Sequence, residues 1–138
     1  MKRWLLLLGL GACATQALAE WLTVTGDPRV ATVNTVQVDP VALQVNGDFK
    51  TMTLRVNRSQ ERRNWEGVPY RSYHARVRFD CRVMRAHYVD AIFYMQPLWR
   101  GDPHQATDYS SNPKPMLFLD VEPNPTGRIV RAACHSAA

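Results

Sequence analysis

Residues 72–81 alternate without a break. Tyr73, Ala75, Val77, Phe79 and Cys81 take the odd positions; Ser72, His74, Arg76, Arg78 and Asp80 take the even ones. Successive side chains of an extended chain point to opposite faces. The stretch therefore reads as a strand with an apolar side and an arginine-bearing side. Its apolar side ends in a cysteine, so whatever packs there can be bonded to it.

Of the three cysteines, Cys13 lies in a leader, and Cys81 and Cys134 lie in the body. Met1-Lys2-Arg3 precedes about a dozen apolar residues from Trp4, the pattern of a secretory signal. That run is too short to span a bilayer as a helix, which takes ~20 residues. Two processing sites compete. Ala17-Leu18-Ala19 before Glu20 is the small-x-small pattern of ordinary signal peptidase, and cleavage is expected after Ala19, dividing the chain into a signal peptide (1–19) and one domain (20–138). Leu10-Gly11-Ala12-Cys13 resembles a bacterial lipobox, in which Cys13 becomes the acylated first residue, Ala14–Ala19 a tether, and the product membrane-bound. Either route exports the chain and leaves Cys81 and Cys134 as one candidate disulfide in an oxidising compartment.

Without its leader the chain has 119 residues, one domain with a modest core. Losing Lys2 and Arg3 takes the formal charge from +5 to +3. Between Arg55 and Arg85 stand nine arginines against Glu61, Glu66 and Asp80, so this segment is strongly positive and the remainder slightly acidic.

Short alternating runs rich in Val, Thr, Tyr and Phe predict antiparallel strands. They fall at Trp21–Thr25, Val33–Val38, Phe49–Asn57, Tyr70–Cys81, Ile92–Met95 and Met116–Val121. Asn46-Gly47-Asp48 marks a turn. Arg58–Pro69 reads as an arginine-rich loop and Gly101–Pro115 as a long polar one, functional or mobile. After Pro123-Asn124-Pro125 the pattern changes. Thr126 is placed to cap a helix with Ile129, Val130, Ala133 and Cys134 on one side and Arg128, Arg131 and His135 on the other. Such a short helix needs a surface to dock on. Its apolar side carries Cys134 to the sheet face that carries Cys81.

Several stretches together resemble a known family. They are Trp21; Val36-Gln37-Val38-Asp39-Pro40; Gly67-Val68-Pro69-Tyr70-Arg71-Ser72; Phe79-Asp80-Cys81 with arginines after it; Trp99-Arg100-Gly101; and the late cysteine after a short helix. The chain resembles the bacterial surface-adhesin protein E family over most of residues 20–136. The resemblance implies an α+β, mainly β fold: one antiparallel sheet of about six strands, with a C-terminal helix fastened to its concave side by the Cys81–Cys134 disulfide. It further implies an outer-membrane surface or periplasmic protein of a Gram-negative bacterium that binds other proteins and can form a homodimer.

The arginines are the main candidate site. Arg76 and Arg78 share a strand face with Ser72 and His74, and a neighbouring Phe49–Asn57 strand adds Arg55. Arg58, Arg62, Arg63 and Trp65 are expected to crown that face from the loop. The planar guanidinium fork suits carboxylate, sulfate and phosphate, so the expected partner is an anionic protein, polysaccharide or lipopolysaccharide. Nucleic acid is not expected for an exported chain without an aromatic RNA-binding strand motif. The plain alternative is a solvated edge whose charges discourage aggregation.

Other chemistry has little support. The four histidines form no close pair, and Asp102, His104 and Asp108 merely share a loop, so neither metal nor cofactor is expected. There is no GxSxG, P-loop or dinucleotide fingerprint. Asp80 reads as an ion-pair partner of Arg78 or Arg82, and Trp65 and Trp99 as partial core plugs. The expectation is a non-enzymatic exported binding protein. A periplasmic accessory protein of envelope assembly or stress tolerance is the second reading. A small hydrolase built on scattered His, Asp and Ser is the third.

Overall fold

The computed structural model describes residues 20–135; Cys13 and Ala19 lie outside them, and Glu20 is an exposed first residue. Strand β1 is Leu22–Thr25, β2 Thr35–Val38, β3 Gln44–Asn46, β4 Phe49–Arg63, β5 Pro69–Asp80, β6 Arg85–Tyr94, β7 Gln105–Asp108 and β8 Lys114–Pro115. They form one antiparallel sheet in the order β1-β2-β4-β5-β6-β7, with β3 beside β4 and β8 beside β6. The sheet has eight strands rather than about six. Helix α1, Thr126–His135, closes the described chain.

The alternation carries through. Val36 and Val38, then Met52, Leu54 and Val56, then Tyr73, Ala75, Val77 and Phe79 are all buried on one face. Registers Val36↔Val56, Leu54↔Ala75 and Phe79↔Ala86 set these rows side by side. Helix α1 lies across β1, β2, β4 and β5 and buries Ile129, Val130 and Ala133 against the rows. Cys134 on its last turn is bonded to Cys81, with the two Cα atoms 5.5 Å apart. The Lys50 ammonium donates to the Ala133 and Cys134 carbonyls, where a cation meets the negative end of the helix dipole.

Four expectations need correction. Strand β4 runs to Arg63, so Arg58–Arg63 belongs to a strand with a register shift between Asn57 and Arg62 rather than to a loop. The Gly101–Pro115 segment contains β7 and β8, and its polar residues pair through their backbone. Met116–Val121 forms no strand: Met116, Phe118 and Val121 are buried, but Phe118 has φ 44°, so the segment folds over the core instead of joining the sheet. The Thr126 hydroxyl lies 2.6 Å from the Leu117 carbonyl and donates toward it, tying the helix start to that segment rather than capping it; Asn124 Oδ1 accepts from the Thr126 N–H instead.

Only glycine suits position 26. Its φ is +83°, and a Cβ there would stand 2.3 Å from the Asn34 carbonyl oxygen and 2.6 Å from Thr35 Cα. The β1–β2 connection packs its own backbone against that turn.

Candidate functional site

The six arginines divide between the two faces of the sheet. Arg55, Arg76 and Arg78 lie opposite the helix, where each has a partner. The Arg55 guanidinium sits between two indoles, 4.4 Å from the Trp21 ring and 4.1 Å from the Trp99 ring, and its Nε donates to Gln37 Oε1. Arg76 pairs with Asp90 across the β5–β6 ladder. Arg78 lies 3.9 Å over the Phe49 ring. Cation–π stacking of this kind holds an arginine flat on the surface.

Trp99 is held in place by its backbone. Leu98 and Trp99 both have positive φ, 54° and 58°, which is costly for side chains of this size. Leu98 N–H donates to Asn57 Oδ1 and Trp99 N–H to Ser72 Oγ; the indole Nε1 donates to the Val56 and Tyr73 carbonyls. Trp99 is therefore a half-buried, fixed wall on the face opposite the helix. Asn57 also donates to the Ala31 and Val33 carbonyls, so one buried amide joins three segments.

His74 shares this patch, its ring near Trp21, Tyr94 and Trp99. Its Nε2 is buried and has no hydrogen-bond partner among the described residues. Burial first, and the Arg55 charge second, hold the imidazole below its ordinary value of 6.5. The fold therefore keeps His74 neutral while the unfolded chain protonates near that value. Its contribution to stability is complete above pH 6.5 and declines as the pH falls from there to the depressed folded value. Thermal unfolding is expected to show the wild type losing stability between pH 7.5 and 5, with a smaller loss in His74→Gln; equal slopes would refute this. Beside the patch, a hollow of about 530 Å³ is lined by Thr53, His74, Arg76, Asp90, Ile92 and Asp108.

Arg58, Arg62 and Arg63 go elsewhere. Arg58 continues the Met52–Leu54–Val56 row and points to the helix-bearing face, only 5% exposed. It pairs with Asp120, which Arg62 also reaches at 3.0 Å. Burial is the largest single effect and would lower the Arg58 value, but the hydrogen bond to Asp120 and the charge interactions with Tyr70, Tyr73 and Asp120 together outweigh it and leave the guanidinium above its ordinary range. Burial alone would raise Asp120; the Arg58 bond and the two positive charges hold it below the usual carboxylate value. Arg63 donates one Nη to the Gly67 carbonyl and is otherwise exposed.

These three arginines line one cleft of about 350 Å³, with Trp65, Tyr70, Tyr73, Tyr88, Phe93 and Phe118 as its aromatic walls. Trp65 is 53% exposed and meets Tyr88 and Tyr109 through ring contacts, so it stands at the rim rather than plugging the core. Tyr73 and Tyr88 are buried with their hydroxyls hydrogen-bonded to each other, and burial pushes both phenols well above their ordinary value. The sequence pattern does not show the cleft, because Phe118 and Asp120 reach it from a distant segment. Arg58 alone carried a signal, the alternation continued by two residues.

The remaining candidates are local. Asp80 Oδ1 accepts the Arg82 backbone N–H and caps the β5–β6 turn rather than forming an ion pair. His104 Nε2 lies 2.8 Å from the Pro69 carbonyl, and Asp108 caps Ser110. Among the described residues no three His, Cys, Asp or Glu side chains gather as metal ligands would.

A single sheet locked to one helix, with arginine and aromatic side chains gathered in a cleft, defines a small disulfide-bonded binding domain. The chain belongs to the surface-adhesin protein E family, whose family model matches residues 21–135. No curated protein and no solved structure matches it. Membership sets the class: an exported, surface-associated, adhesin-like binding protein.

Proposed function

We propose that the protein binds an anionic partner through the end of the β4–β5 hairpin, with Arg62 and Arg63 as the principal contacts and Trp65 beside them. What supports the reading is the division of the arginines. On the face opposite the helix, Arg55 and Arg76 are engaged by neighbours and Arg78 is stacked. At the hairpin end, Arg62 and Arg63 are exposed, and each uses one Nη on a protein oxygen. Their other N–H groups are available for carboxylate, sulfate or phosphate oxygens.

Retention on a heparin column tests this. Each charge-assisted contact contributes ~1.5–3 kcal/mol, about tenfold or more in affinity. Arg62→Ala/Arg63→Ala is expected to elute at much lower salt than the wild type, and Arg76→Ala/Arg78→Ala close to it. Unchanged retention of the Arg62/Arg63 variant would sink the proposal. The reverse ranking would move the contact to the other face.

A further inference from the structure

The hairpin-end cleft is more than a charged rim. Its floor is made of Tyr73, Tyr88, Phe93 and Phe118, all buried. Because the Tyr73 and Tyr88 hydroxyls bond each other, the floor presents rings and offers few polar partners to a sugar. Arg58 lines the same cleft with its side chain 6% exposed, and its buried Nε has no acceptor among the described residues. Arg58 and Arg62 share one carboxylate, Asp120, which leaves this pair one positive charge in excess. The pair already grips a carboxylate, so its spacing suits that group.

We propose that the cleft binds a carboxylate-bearing amphiphile: a single anionic headgroup on a hydrocarbon body. The proposal rests on the reading above for the part played by Arg62 and Arg63. The headgroup meets the unused N–H groups of these two arginines, with the Arg58 charge behind them. The hydrocarbon lies over the aromatic floor. Around the mouth, Leu117 and Leu119 are exposed with Trp65, an apolar path for a chain longer than the cavity. A concave, largely apolar pocket with a few convergent polar groups is the ordinary form of a small-molecule site, and about 350 Å³ is within its range.

The test is isothermal titration of the folded protein with dodecanoate below its micelle concentration, beside dodecanol and acetate. Saturable binding of dodecanoate is expected, with dodecanol about tenfold weaker from the lost ionic contact and no measurable binding of acetate. Ala91 is buried and lines the same cleft; Ala91→Leu fills its floor and is expected to abolish dodecanoate binding while heparin retention stays. Trp65→Ser alters only the exposed rim and is expected to weaken dodecanoate severalfold, which keeps the test open should Ala91→Leu fail to fold. Equal affinity for dodecanoate and dodecanol, or dodecanoate binding unchanged in Trp65→Ser and in folded Ala91→Leu, would overturn the proposal. No dodecanoate binding with heparin retention intact overturns the amphiphile alone. Saturable dodecanoate binding with heparin retention indifferent to Arg62 and Arg63 supports the amphiphile and overturns only the adhesive reading.

Discussion

Replacing Cys81 and Cys134 together by serine is expected to lower the stability of the domain by ~4 kcal/mol. The bridge spans 53 residues, a loop that holds β6, β7, β8 and the irregular 116–125 segment. Opening it returns that loop's freedom to the unfolded chain. A second consequence is local. Helix α1 has ten residues, too few to persist without docking. Once unbonded it keeps Ile129, Val130 and Ala133 against the sheet, the Lys50 contacts at its end and the Thr126–Leu117 tie at its start. Denaturant unfolding of the double variant should show a much lower midpoint, and far-ultraviolet circular dichroism should show the helix signal lost before the sheet. A midpoint equal to the wild type's would mean that packing alone secures the helix.

Phe79→Ala is expected to cost ~3–5 kcal/mol. Phe79 is fully buried and stands on the same face as Cys81, between Lys50 of β4 and Ala86 of β6. Its neighbours are strand residues held by ladder hydrogen bonds, with the bonded Cys81 two positions away. They cannot collapse into the space left, so the cavity remains. Arg78→Ala is the control. It removes one stacking contact on the opposite face, over Phe49, and is expected to cost about 1 kcal/mol or less. Similar losses for the two variants would mean that the alternation of β5 does not separate core from surface.

That alternation was the most legible part of the chain. In β5 from Tyr73 onward, and in β4 as far as Val56, period 2 placed each core side chain correctly because there both strands have one buried and one more open face, whereas Tyr70, out of that phase, is buried in the core as well. The sheet edges were harder to read. Strand β7 has only polar and small residues, Gln105-Ala106-Thr107-Asp108, and is defined by backbone pairing with β6. Met116–Val121 shows the converse. Its alternating burial looks like a strand, yet a left-handed Phe118 turns it away from the sheet.

The arginines show the same limit. Charge density between Arg55 and Arg85 was plain, but density along the chain does not say which guanidinia end up together. Arg55 and Arg62 are seven positions apart and on opposite faces of the sheet. Arg58, Arg62 and Asp120 span 62 positions and meet in one ion-pair group.

By itself the sequence determined the strands with one apolar face and the terminal amphipathic helix, since each follows from local periodicity, and it put Cys81 and Cys134 on the two faces that meet; the structure shows them bonded. Only the tertiary structure decided the strand number, the partner of each arginine and the existence of the aromatic cleft. Those depend on the β4 register shift and on the path of the 116–121 segment, where contacts between residues far apart in the chain outweigh local preference.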